Sequence, residues 1–289
     1  MASWEARNAE FVEKHSLTSR DRRVPEPEVE LQMEAGRVYA MADWPSIDIA
    51  EGVSASVCWG RGTLLEMLEI APGAEYPEQA MTGEMISAVQ SGSGTCSLDG
   101  QILELGTDAL LYLSEGMRRS LRAGSEGLVT MEVFSPVRVD HLALAGTVLP
   151  DGANVGFPDL GVEGASLEPG RLYRFGDLPR TPIRLPGQDP SVKPSADTTL
   201  MWGKNFMLSF ISMAPGFQAP NHWHPEDQLM IVQRGSMKEG IIGEWRSMGP
   251  NEVILQPGGM VHSAQISPEG VSVVDVFWPG RPDYMELIK

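Results

Sequence analysis

Three of the five histidines fall close together, His222 and His224 on either side of Trp223 and His262 a short way downstream. Imidazole nitrogens bind borderline metals. Alternate residues of a strand share one face, so the spacing puts His222 and His224 on one side and Trp223 on the other. The apolar run Leu229-Met230-Ile231-Val232 that follows has the composition of a buried strand. Two imidazoles from one strand and a third from its neighbour make a facial nitrogen set. Such a set suits zinc, iron, nickel or copper and leaves coordination positions open for substrate. The competing reading is three structural histidines in a β-core. His15 and His141 stand apart and read as surface histidines.

The elements that must position these residues are short and punctuated by glycine. The 31 glycines and 22 prolines are scattered, as in an all-β chain with many turns. The chain also repeats itself. Ala71-Pro72-Gly73 closes one apolar segment as Ala214-Pro215-Gly216 closes another, 143 positions on (216 − 73). The same offset relates Trp59-Gly60 to Trp202-Gly203, Val89-Gln90 to Val232-Gln233, and Val133-Phe134 to Val276-Phe277. A register that keeps its turn residues in phase over such a length marks a duplicated domain. Upstream, Gly36-Arg37-Val38-Tyr39 matches Gly170-Arg171-Leu172-Tyr173 at an offset of 134. The second copy therefore carries nine more residues (143 − 134), expected within 180–199 near a barrel mouth. The repeat divides the chain into an N-terminal extension (1–33), a first barrel (34–143), a linker (144–167) and a second barrel (168–289). Phe11 and Val12 lie in a charged, helical-looking part of the extension that is expected to pack on a barrel. Short strands with no long helical period predict a closed barrel or sandwich in each copy.

Composition removes several function classes. Lys and Arg total 22 against 39 Asp and Glu, a formal net charge of −17, so there is no basic excess for nucleic acid or an anionic membrane. Two cysteines, Cys58 and Cys96, make neither a disulfide framework nor a thiolate metal site. No apolar run approaches the roughly 18 residues needed to span a bilayer, and a cytoplasmic protein is the expectation. An exposed strand edge could pair two chains into a homodimer.

The metal motif resembles the cupin superfamily. Gly216, His222-x-His224, position 228 and Gly235 follow the spacing of the family's first motif. Pro257-Gly258-Gly259-Met260-Val261-His262 follows its second. The resemblance covers both copies and implies two tandem cupin barrels, the double-stranded β-helix or jelly roll, behind a short helical extension. It implies one divalent metal per chain (zinc, iron, manganese or nickel), held by His222, His224, His262 and Gln228. The family's usual glutamate is here Gln228, an amide without charge, which leaves the metal a stronger Lewis acid. Alternatively Gln228 merely lies nearby and the site has three histidines, or Glu226 or Asp227 substitutes. In the first copy the counterparts are Gln79, Met81, Met85 and Arg119, which do not make a hard-metal site. There Arg119 is open to two readings, a small-anion contact and a structural salt bridge.

Function follows less directly, because one fold hosts many chemistries. The first expectation is Lewis-acid isomerase, lyase or cyclase chemistry on a small carbonyl or enolisable substrate, as in the cupins that this His-x-His-x-x-x-Gln pattern resembles. The second is an Fe(II) dioxygenase acting on a phenolic or diketone-like compound. The third is a non-catalytic metabolite-binding module. Glu244 and Tyr284 are the candidates for moving a proton. Arg138 with Asp140, and Arg281 with Asp283, recur in both copies and read as structural ion pairs. Trp202, Met207, Phe210, Met230 and Val232 could line the pocket but read as core.

Overall fold

The computed structural model describes residues 3–15, 32–147, 164–184, 191 and 193–287. Helix α1 (Trp4–His15) precedes strand β1 (Val38–Ala40). The first barrel follows with β2 (Ser46–Ala50), β3 (Val53–Trp59), β4 (Leu64–Ile70), β5 (Glu75–Ala80), β6 (Glu84–Leu98), β7 (Gln101–Gly106), β8 (Ala109–Leu113), β9 (Arg118–Ser135) and helix α2 (Val139–Leu144). Strand β10 (Leu172–Arg174) comes next, and the second barrel then has β11 (Thr181–Ile183), β12 (Ala196–Trp202), β13 (Met207–Met213), β14 (Gln218–His222), β15 (Asp227–Ile241), β16 (Glu244–Met248), β17 (Glu252–Gln256), β18 (His262–Trp278) and helix α3 (Pro282–Met285). Of the expected nine-residue insertion, positions 185–190 and 192 lie outside the described residues, as do 16–31 of the extension and 148–163 of the linker.

Each barrel is one nine-stranded antiparallel system: β10-β8-β6-β9-β4-β3-β2 in the first, with β5 on β9 and β7 on β6, and β1-β17-β15-β18-β13-β12-β11 in the second, with β14 on β18 and β16 on β15. The longest strands serve both walls. β15 pairs with β17 and with one half of β18 up to Val232, then shifts register at Arg234 and Met237 and pairs with the other half. Bulges of this kind bend a strand around a barrel corner. Glycine is required there, because a Cβ on Gly235 (φ 74°) would lie 2.1 Å from the Gly270 carbonyl oxygen. Gly92 meets Gly127 in the same way.

Alternation on the strands sorts the core. On β15, Met230 and Val232 point into the second barrel, while Leu229 and Ile231 point out. The outward set packs against Leu65, Ile86 and Val133 of the first barrel, so the sheets are apolar on both faces where they meet. The polar contacts between barrels are reciprocal. Arg61 makes a bidentate pair with Asp227, its Nε donating to Oδ2 at 2.7 Å. Glu84, the equivalent of Asp227, accepts from the N–H groups of Lys204 and Asn205, each at 2.7 Å.

The strand pairing crosses the boundary that the repeat suggests. β1 pairs with β17 of the second barrel, and β10 pairs with β8 of the first. Each barrel is thus finished by the three residues that lead into the other. The extension is helical as expected, and α1 lies on the β15–β16 turn of the second barrel, where Phe11 sits over Gly243.

Candidate metal centre

His222 and His262 are direct cross-strand partners on β14 and β18. The strand stops at His222, so His224 lies just beyond it and not at the next position of a continuous strand. Its side chain nevertheless turns inward, 3% exposed, with its ring edge-on to Phe277. The three rings converge: centroids are 4.2 Å apart for His222 and His262, 5.0 Å for His224 and His262, and 6.4 Å for His222 and His224. Among the described residues no three His, Cys, Asp or Glu side chains close into a finished coordination cluster.

The donor chemistry is nevertheless specific. In each ring Nδ1 lies 2.9 Å from a backbone carbonyl oxygen, those of Pro220, Glu226 and Met260. A carbonyl oxygen only accepts, so Nδ1 carries the proton and Nε2 the lone pair, the tautomer a metal needs. His224 Nε2 then faces Gln228 Oε1 at 3.1 Å, two acceptors with no proton between them. In this orientation Gln228 Nε2 donates to Asp275 Oδ1 at 2.8 Å. A cation between the two lone pairs would satisfy both. Burial, the Arg281 guanidinium and the other two histidines all push the His224 pKa well down. Burial and His222 do the same to His262. The residues present therefore fit a cation bound to neutral imidazoles.

The cavity beside these rings is ≈ 60 Å³. One water needs about 10–15 Å³ of such volume, so it holds a few waters or a small molecule. His222, Gln228 and His262 line it, together with Glu239, Asp275, Arg281 and Tyr284. Burial raises Asp275 to about 7, against the opposing pull of the Gln228 hydrogen bond and Arg281. Burial also pushes Glu239 well above the carboxylate range, although Gln256 Nε2 donates to its Oε1 at 2.6 Å. The larger groove of ≈ 320 Å³ between the barrels contains none of the ligating side chains.

Of the proton-transfer candidates, Tyr284 lines the cavity, its ring 4.0 Å from the Arg281 guanidinium. Glu244 does not. It stands exposed at the start of β16 and pairs with Arg7 and Arg246. Arg138 and Arg281 do form the expected ion pairs with Asp140 and Asp283. Recurrence nevertheless hid a difference, since Arg281 also faces the cavity. Glu239 and Asp275 were missed. Glu239 could have been found by parity, because it stands between the inward-facing Met237 and Ile241. Met230 lines the cavity, Val232 and Met207 are core, and Phe210 packs edge-on to Phe175 between the barrels. Trp202 packs beside Met207 and does not line the cavity.

In the first barrel Arg119 is fully buried and doubly bonded to Glu132, with Nη1 to Oε1 at 2.7 Å. Ser87 and Thr130 donate to the same carboxylate. Arg119 thus forms a salt bridge. Gln79 accepts from Tyr76 and Arg138, and Met81 and Met85 are core. His141 is a correction: it is 1% exposed, and its Nδ1 lies 2.6 Å from Glu66 Oε2 inside the barrel. The side chain of His15 lies outside the described residues.

No family model and no curated protein matches the chain. Solved structures do. AerE from Microcystis aeruginosa superposes with a TM-score of 0.56 at 13% identity, over 81% of this chain and 95% of its own. The fold is that of a two-barrel cupin. Oxalate decarboxylase from Lactobacillus farciminis, in a formate complex, gives 0.60 at 15% identity over 88% and 89%. Oxalate decarboxylase from Bacillus subtilis, studied for its Mn(II) centres, gives 0.58 at 16% over 88% and 80%. At these identities the likeness carries the cupin architecture alone. No helix among the described residues is long and apolar enough to cross a membrane.

Proposed function

We propose that the second barrel binds one divalent metal ion through His222, His224, His262 and Gln228 and is a Lewis-acid enzyme. Its substrate would be a small carbonyl-containing or enolisable molecule, and its reaction an isomerisation, elimination or cyclisation. The reading rests on one geometric observation: with each Nδ1 turned to a backbone carbonyl, His224 Nε2 faces the Gln228 amide oxygen at 3.1 Å, beside two further converging imidazoles. The Mn(II) centres of the oxalate decarboxylase with the same fold are consistent with it.

The ion, when bound, supplies positive charge to an anionic substrate oxygen. The chain's own side chains do the rest. Asp275 fixes the Gln228 amide, so that its oxygen and not its nitrogen faces the histidines. Arg281 brings a second, permanent positive charge to the cavity wall, suited to a substrate carboxylate or enolate. Glu239, whose carboxyl burial pushes well above the ordinary range, stands in the same cavity as a group suited to hold a proton, and Tyr284 offers a hydroxyl. Met230, Met237 and Phe277 make the remaining wall apolar and limit water.

Elemental analysis of protein purified without added metal, beside His262→Ala, tests this. About one metal per chain is expected, absent from the variant, with the β-rich circular dichroism unchanged. Zinc, manganese or nickel without oxygen uptake supports Lewis-acid chemistry. Iron with oxygen uptake on phenolic or enolisable compounds replaces it with a dioxygenase. No metal, even after reconstitution, removes the enzyme reading and leaves a binding module.

A further inference from the structure

The loop 257–261 that leads into His262 is held from outside its barrel. Asn8 of α1 grips it with both ends of its amide. Nδ2 donates to the Gly259 carbonyl oxygen at 2.9 Å, and Oδ1 accepts from the Val261 N–H at 2.8 Å. Between these two points lies Met260, whose carbonyl fixes the Nδ1–H of His262.

The first barrel shows what this grip replaces. There the N–H of Arg118, the equivalent of Val261, is taken by Asp99 Oδ1 at 3.1 Å, from the turn between β6 and β7. Asp99 sits at φ 46°, a left-handed conformation that Asp tolerates. Its equivalent is Ile242 at φ 50°, a β-branched residue for which that conformation is strained and whose side chain has no acceptor. The backbone bond of the turn is kept in both barrels, Asp99 N–H to Arg118 O at 3.0 Å and Ile242 N–H to Val261 O at 3.1 Å. The second barrel has given up the local acceptor and receives one from a separate helix. Ile242 and Gly243 serve instead as the seat of that helix. Ile242 joins the same apolar cluster as Trp4, and a Cβ on Gly243 would lie 2.8 Å from the Phe11 ring.

We propose that α1 is a clamp on the metal loop, with Asn8 a positioning residue for His262, so that the metal is held slowly exchanging only while the N-terminal helix is docked. This rests on the metal reading above. The full-length chain loaded with Co(II) is challenged with excess chelator, and release is followed in the visible spectrum. Asn8→Ala is expected to release Co(II) about tenfold faster, the scale of a lost outer hydrogen bond. Its circular dichroism should be unchanged. Adding Ile242→Asn, which restores a neutral local acceptor that tolerates the left-handed turn, is expected to slow release again. Equal release from wild type and Asn8→Ala overturns the clamp and leaves the metal site standing. Faster release that Ile242→Asn does not correct overturns the positioning role, since the helix then acts only on general stability. Failure of the wild type to take up Co(II) overturns the metal reading and the clamp with it. If Asn8→Ala does not fold, Asn8→Asp makes the same comparison, because it keeps the acceptor for Val261 and loses the donor to Gly259. An intermediate rate is expected, and a wild-type rate overturns the clamp.

Discussion

Where the second barrel has His262 and Asp275, the first has Arg119 and Glu132 at the same offset. Both barrels bury a carboxylate on their longest strand. In the first, burial of Glu132 is outweighed by the Arg119 guanidinium and by Ser87 and Thr130, and its pKa ends below the ordinary value. In the second, the equivalents of Ser87 and Thr130 are Met230 and Val273, and Asp275 rises to about 7. Space differs with charge. Tyr76 fills the first barrel with its ring 5.2 Å from the Arg119 guanidinium, and its equivalent, Ala219, lines the cavity. One barrel sets a guanidinium directly against its buried carboxylate, and the other presents imidazole lone pairs and a hole at the equivalent place. The repeat presents one backbone plan twice, and a handful of interior differences give the two copies different interiors.

The largest loss of stability is expected at Arg119. Arg119→Ala strands a buried Glu132 and is expected to cost about 3–5 kcal/mol in urea unfolding. His262→Ala, which leaves neutral imidazoles behind, should cost markedly less in the metal-free chain, and equal costs would erase the distinction. Ala219→Tyr transplants the first barrel's filler. About 1–3 kcal/mol of overpacking is expected. Azide is expected to change the visible spectrum of the Co(II)-loaded wild type and not that of the variant, and a change retained in the variant would show that the cavity is not the route to the metal. The smallest effect sharpens the account of Glu239, whose equivalent is Cys96. A carboxyl with a raised pKa costs nothing below the ordinary value of about 4.3, and increasingly destabilises the fold as pH climbs above it. Glu239→Gln should therefore match wild type in thermal midpoint near pH 4 and exceed it increasingly towards neutrality. A difference constant with pH would mean that Glu239 is ionised when folded.

The repeat was legible because turns need particular residues. Gly73 and Gly216 take φ 72° and 71°, and such positions keep their glycine while strand residues drift. The convergence of His222, His224 and His262 was legible because two lie one residue apart and the third on the partner strand. What escaped was set by pairing between distant segments. Nothing in Val38-Tyr39-Ala40 says that its partner is Val253 and its neighbours. His141 looked superficial because the residue that buries it, Glu66, lies 75 positions away. Glu244 looked usable because the sequence does not show that its hairpin carries it out into solvent beside Arg7.

The exchange of β1 and β10 has a consequence for how such a molecule can change over generations. A recombination that cut between Thr147 and Gly164 would part each copy from the strand that covers its edge at β17 or β8, leaving unpaired backbone open to association. Neither barrel can be shed without opening an edge of the other. Each persists as an inherited half of its partner's architecture.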